Sequence, residues 1–203
     1  MNPADPNMNP ADPYIAMAFV ALIILLAYAY RREKSSLKIR APRIGFLNLK
    51  GAPGEQALIE DKRSFASMFC NSLESSTVTP SCDVLFIYCD IAPDGKVSGP
   101  TTGLRSIIRD SGAQVVVVAS ENRTESYIAA AKKTGYGRAN LVMTLERRGD
   151  VFPKFFNRLF AQVLKGTPLP VAWVNLAPQG PAHNHTDCPV TILILEKGRI
   201  TFN

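Results

Sequence analysis

Residues Gln114 to Ala119 read QVVVVA, a run of four valines with no polar position to mark an exposed face. β-Branched side chains favour the pleated backbone, and an apolar run without alternation belongs to a strand covered on both faces. That is the signature of a central parallel strand. The same pattern stands upstream, where Asp83 to Ile91 (DVLFIYCDI) has an unbroken apolar centre and ends in the turn residues Ala92-Pro93-Asp94-Gly95. Between the two runs, Leu104, Ile107 and Ile108 share one helical face over residues 102 to 111, and Gly112 is placed to close that helix.

Nearer the N-terminus, Arg43 to Leu49 (RIGFLNL) reads as an earlier strand followed by the turn Lys50-Gly51-Ala52-Pro53-Gly54. A helix is expected between Glu55 and Leu73, where Leu58, Phe65, Met68, Phe69 and Leu73 recur at helical spacing, and residues 75 to 81 end it. Downstream, Asn122 to Lys133 reads as a helix stopped at Gly135, and Asn140 to Leu145 (NLVMTL) as a fourth strand. The clearest helix comes next. Asp150 is its expected N-cap, Pro153 lies in its first turn, and Phe152, Phe155, Phe156, Leu159, Phe160, Val163 and Leu164 form one stripe up to Gly166. Val171 to Leu176 fits either a fifth strand or a short helix. Val190 to Leu195 and Arg199 to Phe202 read as a terminal hairpin around Glu196-Lys197-Gly198. Alternating strands and helices predict an α/β domain over residues 44 to 203, a mostly parallel sheet with helices on both faces.

Ahead of this domain, Tyr14 to Tyr30 (YIAMAFVALIILLAYAY) contains no charge, proline or glycine. As a helix it spans roughly 25 Å, the low end for a hydrocarbon core of about 30 Å. Tyr14, Tyr28 and Tyr30 stand at its ends, where amphipathic rings favour the lipid interface. A cleaved signal peptide carries its positive charge before the apolar core, whereas here only Asp5 and Asp12 precede it. The cations come after it: Arg31, Arg32, Lys34, Lys38, Arg40 and Arg43, with Glu33 the sole acid among them. A single transmembrane helix at 14–30, of the signal-anchor type, is therefore expected, with the N-terminus outside and the domain cytoplasmic.

Residues 1–13 carry MNPADP twice and four prolines, which excludes a helix and predicts a disordered tail. All 23 Lys and Arg come after Asp12 against 15 of the 17 acids, a net +8. Residues 31–43, read as a basic juxtamembrane linker, supply +5 of it and are suited to anionic lipid headgroups. Beyond them 17 basic residues face 14 acidic ones, with no stripe of aromatics and arginines, so nucleic acid is not an expected partner. Cys70, Cys82, Cys89 and Cys188 form no CxxC pair or disulfide framework, and on a cytoplasmic face they are reduced.

In an open parallel sheet, chemistry belongs outside the carboxyl ends of the strands. Gly51-Ala52-Pro53-Gly54 lacks both the GxGxxG spacing and the GK[ST] ending, and reads as a turn rather than a phosphate loop. Cys89 precedes Asp90 at a strand end, where a nucleophile would be displayed, but a free cysteine is more often a small buried apolar group. Ser120 stands directly after the valine strand without a GxSxG elbow. Only His183 and His185 can serve as an imidazole base for either, and both lie in one loop near the C-terminus. His183, His185, Asp187 and Cys188 all can ligate zinc, but no second ligand pair stands elsewhere, so neither metal nor cofactor is expected. Asp94 and Glu121 fit ordinary turn positions.

On these residues the chain resembles the caspase-like fold, and within it the CHAT group, over roughly residues 43–203. DVLFIYCDIAPDG resembles the strand and loop that carry the family's histidine, and GAQVVVVASEN the strand that ends in its cysteine. NLVMTLERRGDVFPKFFNRLFAQVLKG is similar to the strand and long helix beyond. At the decisive positions this chain has Cys89 or Asp90 and then Ser120, so the resemblance implies a fold without its usual Cys-His dyad. The expected function is a membrane-tethered module acting through a protein partner in signalling or defence. Two alternatives stand beside it: a hydrolase using Cys89 or Ser120 with His183 or His185, and a sensor of a nucleotide or other small ligand at the strand ends.

Overall fold

The computed structural model describes residues 13–34, 37–69, 72–75, 78–94, 96–97, 103–120, 126, 139–144, 149–177, 191–194 and 200–203. The chain divides into two compact units, Met1–Ser36 and Leu37–Asn203.

The first unit holds helix α1, Pro13–Lys34. Its described side chains, residues 17–28, are all exposed, with Met17, Phe19, Ile24 and Leu25 each above 60 %. Apolar side chains therefore cover every side of the helix rather than one stripe. Among the described residues, no helix is long and apolar enough to cross a membrane. The tail expected at 1–13 lies outside the described residues, apart from Pro13.

The second unit is an α/β domain. Its main sheet contains β2 (Ile44–Asn48), β3 (Ser72–Ser75), β4 (Val84–Tyr88), β5 (Val115–Ala119), β6 (Asn140–Thr144) and β7 (Thr191–Ile194). The strand order is β3-β2-β4-β5-β6-β7. The first five strands run parallel, and β7 closes the far edge antiparallel to β6. The valine run is central, as its composition requires: Val117 pairs with Phe86 on one side and Val142 on the other. Every residue of β4 and β5 is buried.

Two apolar clusters lie on opposite faces. Phe46, Phe86, Tyr88, Val115 and Val117 point toward helices α2 (Ala52–Phe65), α4 (Val151–Leu164) and α5 (Leu169–Leu176). Leu47, Leu85, Ile87, Val116 and Val118 point toward α3 (Leu104–Ser111). The alternation results from the two-residue period of a strand. The α4 face is built of aromatic rings: nine of the ten phenylalanines join one network, the exception being Phe19 in α1. Phe86 sits at its centre, with Phe156 at 5.5 Å and Phe160 at 6.0 Å between ring centroids. Gly112 ends α3 in the left-handed conformation, φ 67°, and donates its N–H to Arg109 O.

Several expectations change. The terminal hairpin does not form: β7 joins the main sheet, while β8 (Ile200–Phe202) pairs in parallel with β1 (Leu37–Ile39) in a separate two-stranded sheet. The segment 31–43 is therefore not all linker. Ile39 is buried beside Ile200 and Phe202, and the backbones close through Asn203 N–H to Ile39 O (2.9 Å) and Ala41 N–H to Asn203 O (2.8 Å). The strand buries Ile39 while Lys38 and Arg40 stay exposed, so pairing with β8 gains apolar burial without desolvating either cation. Val171–Leu176 belongs to the helix α5, which Pro170 opens from its first turn. The helix expected to run to Leu73 stops at Phe65, and β3, with the sequence SLES, is a polar edge strand that takes up the end of that stretch. Asp150 occupies the N-cap position of α4 but makes no side-chain cap bond; its carboxylate pairs with Lys154 instead. Of the helix expected at 122–133, only Ser126 is described, and it is helical and buried.

Candidate functional site

The carboxyl ends of β2, β4 and β5 lie side by side, since Asn48 pairs with Tyr88 and Tyr88 with Ala119. The loops leaving these three strands therefore gather at one edge. After β2, the Asn48 carboxamide shapes the turn: Nδ2 donates to Gly51 O at 2.9 Å, and Oδ1 accepts the Lys50 N–H at 3.0 Å. Gly51 stands at φ 70°, ψ −147°, a backbone geometry only glycine adopts without strain. Gly54 lets the first turn of α2 lie directly on Asn48, where a Cβ would collide with Oδ1. Pro53 has no N–H, and the Gly54 N–H is already bonded to Gly51 O. This loop keeps few amides for a phosphate, in keeping with a turn lacking the phosphate-loop glycine spacing.

Lys50 reaches across to the loop after β4, where its Nζ lies 3.2 Å from Asp90 Oδ1. Leu49 N–H donates to Tyr88 O, continuing the contact between β2 and β4 by one residue. Nearby, the Tyr88 hydroxyl donates to Asp61 Oδ2 at 2.7 Å, with both side chains buried. Asp61 is the residue sequence reasoning missed. Its signal was there: it falls between Leu58 and Phe65 on the buried stripe of α2, where an acid needs a donor. A small recess of about 60 Å³ opens at this edge, lined by Lys50, Pro53, Ala57, Tyr88, Ala119 and Ser120. Its size admits a few waters or a small polar group.

The structure brings only some of the candidate residues together. Ser120 lines the recess and is 2 % exposed. Asp90 borders it through Lys50. Cys89 does not: its side chain is fully buried in the cluster on the opposite, α3 side of the sheet. Burial first, and the adjacent Asp90 carboxylate second, push its thiol up to about 12, with Lys50 only partly opposing. Cys89 thus stays protonated at neutral pH, with its side chain packed inside the domain rather than in the recess. Cys82 is raised to about 12 by the same causes, burial and the neighbouring Asp83. His183 and His185 lie outside the described residues, as do Asp187 and Cys188. Among the described residues, no three His, Cys, Asp or Glu side chains are grouped to hold a metal ion.

Comparison of the chain with protein-family models, with curated proteins and with solved structures finds no match.

Proposed function

We propose that this chain is a membrane-anchored cytoplasmic module of caspase-like, CHAT-like type that lacks the usual dyad and acts by binding a protein partner in signalling or defence. The observation that carries this reading is the state of the two strand ends that matter. The neighbouring strands β4 and β5 end in Cys89-Asp90 and Ser120. Cys89 is a buried, protonated thiol, and Ser120 is all but buried at a recess too small for a peptide.

The anchor reading is supported by the uncharged run Tyr14–Tyr30 within α1 and by Arg31, Arg32 and Lys34 at its end. No described helix is long and apolar enough for a full crossing, and these seventeen residues lie at the lower bound for a span, so the proposed anchor requires a thin bilayer and little tilt. A helix apolar on every side is satisfied by lipid, whereas a single docking groove covers one face.

Iodoacetamide labelling of the folded protein, with peptide mapping afterwards, tests the absence of a cysteine nucleophile. Cys89 stays unmodified at neutral pH until the chain is unfolded; modification in the fold as fast as in the unfolded chain contradicts the reading. One alternative has an observation in its favour. The recess beside Lys50 and Ser120 lies where α/β sheets bind small ligands, and a ligand-dependent rise in melting temperature abolished by Lys50→Ala would support a sensor.

A further inference from the structure

The strand order β3-β2-β4-β5 contains a reversal of direction. From β2 the chain leaves through α2 to β3 on one side, and from β4 it leaves through α3 to β5 on the other. Parallel crossovers share one hand, so reversing direction along the sheet moves the helix to the opposite face. The packing agrees: Leu58 and Phe65 of α2 join one apolar cluster, and Leu104, Ile107 and Ile108 of α3 join the other. The chain therefore parts beyond the carboxyl ends of β2 and β4, and such a parting is where an open α/β sheet takes its ligand. The recess lies at this point, with Tyr88 and Ala119 on its sheet side and Gly54 and Ala57 on its helix side. Among the described residues lining it, Lys50 is the only charged one, and Ser120 adds a hydroxyl. Asp61, whose Oδ2 accepts the Tyr88 hydroxyl, is not among them. The ion pair of Lys50 with Asp90 crosses the parting from the β2 loop to the β4 loop. Its halves are unequal: the Lys50 side chain is 28 % exposed and that of Asp90 49 %, so the ammonium is held inward while its counter-ion keeps water. A pair exposed to that degree is weak, and its anionic half is readily exchanged.

We propose that the recess is a binding site for a small oxyanion, a carboxylate or phosphate group that replaces Asp90 as the partner of Lys50 and accepts a hydrogen bond from the Ser120 hydroxyl. The inference rests on the small-ligand alternative above, to which it adds a place and a chemical class, and it does not depend on the anchor. The few amides left by the turn after β2 are no obstacle, because a lysine binds an oxyanion as a point charge and needs no backbone cradle. Size sets the limit. A volume of about 60 Å³ holds the anionic group and little else, so a larger ligand keeps the rest of itself outside the recess.

Thermal unfolding of the full-length chain in detergent micelles tests this, with inorganic phosphate or acetate replacing chloride at constant ionic strength. The melting temperature is expected to rise and saturate with at least one of the two anions. Lys50→Met should raise the half-saturating concentration about tenfold, as the loss of a charged hydrogen-bond donor requires. Asp90→Asn removes the competing carboxylate and should lower it about threefold. Because Asp90 is half exposed, that second arm stands even if Lys50→Met fails to fold. Equal responses in the native chain and both variants mean an adventitious ion only and overturn the site. Adenosine, which carries no anionic group, separates the two levels of failure. A rise with adenosine and with neither anion keeps a small-ligand site and overturns its oxyanion class; no rise with any of the three overturns both.

Discussion

At the level of single residues, two positions at the strand ends decide how the site is read. Cys89 looks like a nucleophile in sequence because it ends a buried strand, yet the strand's alternation directs Tyr88 to the α2 face and Cys89 to the α3 face. The recess forms on the Tyr88 side. The Cys89 thiol titrates near 9 in an unfolded chain and near 12 in the fold, so the native state disfavours the thiolate. The contribution to stability is complete below pH 9 and is lost as pH rises toward about 12. Melting curves collected over that range are expected to fall steeply for the native protein and less steeply for Cys89→Ala; Cys82, raised in the same way, flattens the curve further when it too is replaced. Tyr88→Phe removes the hydroxyl that donates to buried Asp61 and is expected to cost about 1–3 kcal/mol, read from urea unfolding. Gly45 is constrained by packing rather than by its backbone, since a Cβ there would meet Cys82 Sγ at 2.6 Å and Pro80 Cγ at 2.9 Å. Gly45→Ala should lower stability by about 1–3 kcal/mol, with part of the loss recovered in a Gly45→Ala, Cys82→Ala double variant. Sequence marks Asp61 as an acid in need of a donor but not that Tyr88 supplies it, and the Gly45 contact is not legible at all, because both depend on which distant segments become neighbours.

Among the elements, legibility tracks the strength of the apolar pattern. The valine strand and the stripe of α4 are placed by sequence to within a residue or two, because an all-apolar strand and a seven-residue helical stripe each have a single way of being buried. β3 escapes, as SLES carries no apolar alternation and its place is fixed only by pairing with β2. β1 and β8 escape as a pair for a different reason. Each has three residues, and nothing local announces that residues at opposite ends of the domain will meet. Their sheet is tied to the core by Phe202, whose ring lies 5.9 Å from Phe160 and 6.3 Å from Phe69. Phe160 also contacts Phe65, Phe86 and Phe156 and so joins both helices and the sheet. Phe160→Ala is expected to cost about 3–5 kcal/mol in chemical denaturation, more than any exposed substitution on the same helix.

For the molecule as a whole, the domain lies behind a helix whose described side chains are apolar and exposed on all sides. Such a surface left in water would drive association, since contiguous exposed apolar area of this extent marks a binding or lipid-facing site. On the proposed reading, a module held at a bilayer gains function by being in the right place, where a partner would meet it at a raised local concentration. Localisation therefore carries more of the account than any residue at the strand ends. Alkaline carbonate extraction of membranes from cells expressing the full chain tests it most directly, compared with an Ile24→Arg, Leu25→Arg variant. The account predicts that the native chain stays in the membrane pellet and the variant is released; release of the native chain into the supernatant would contradict it.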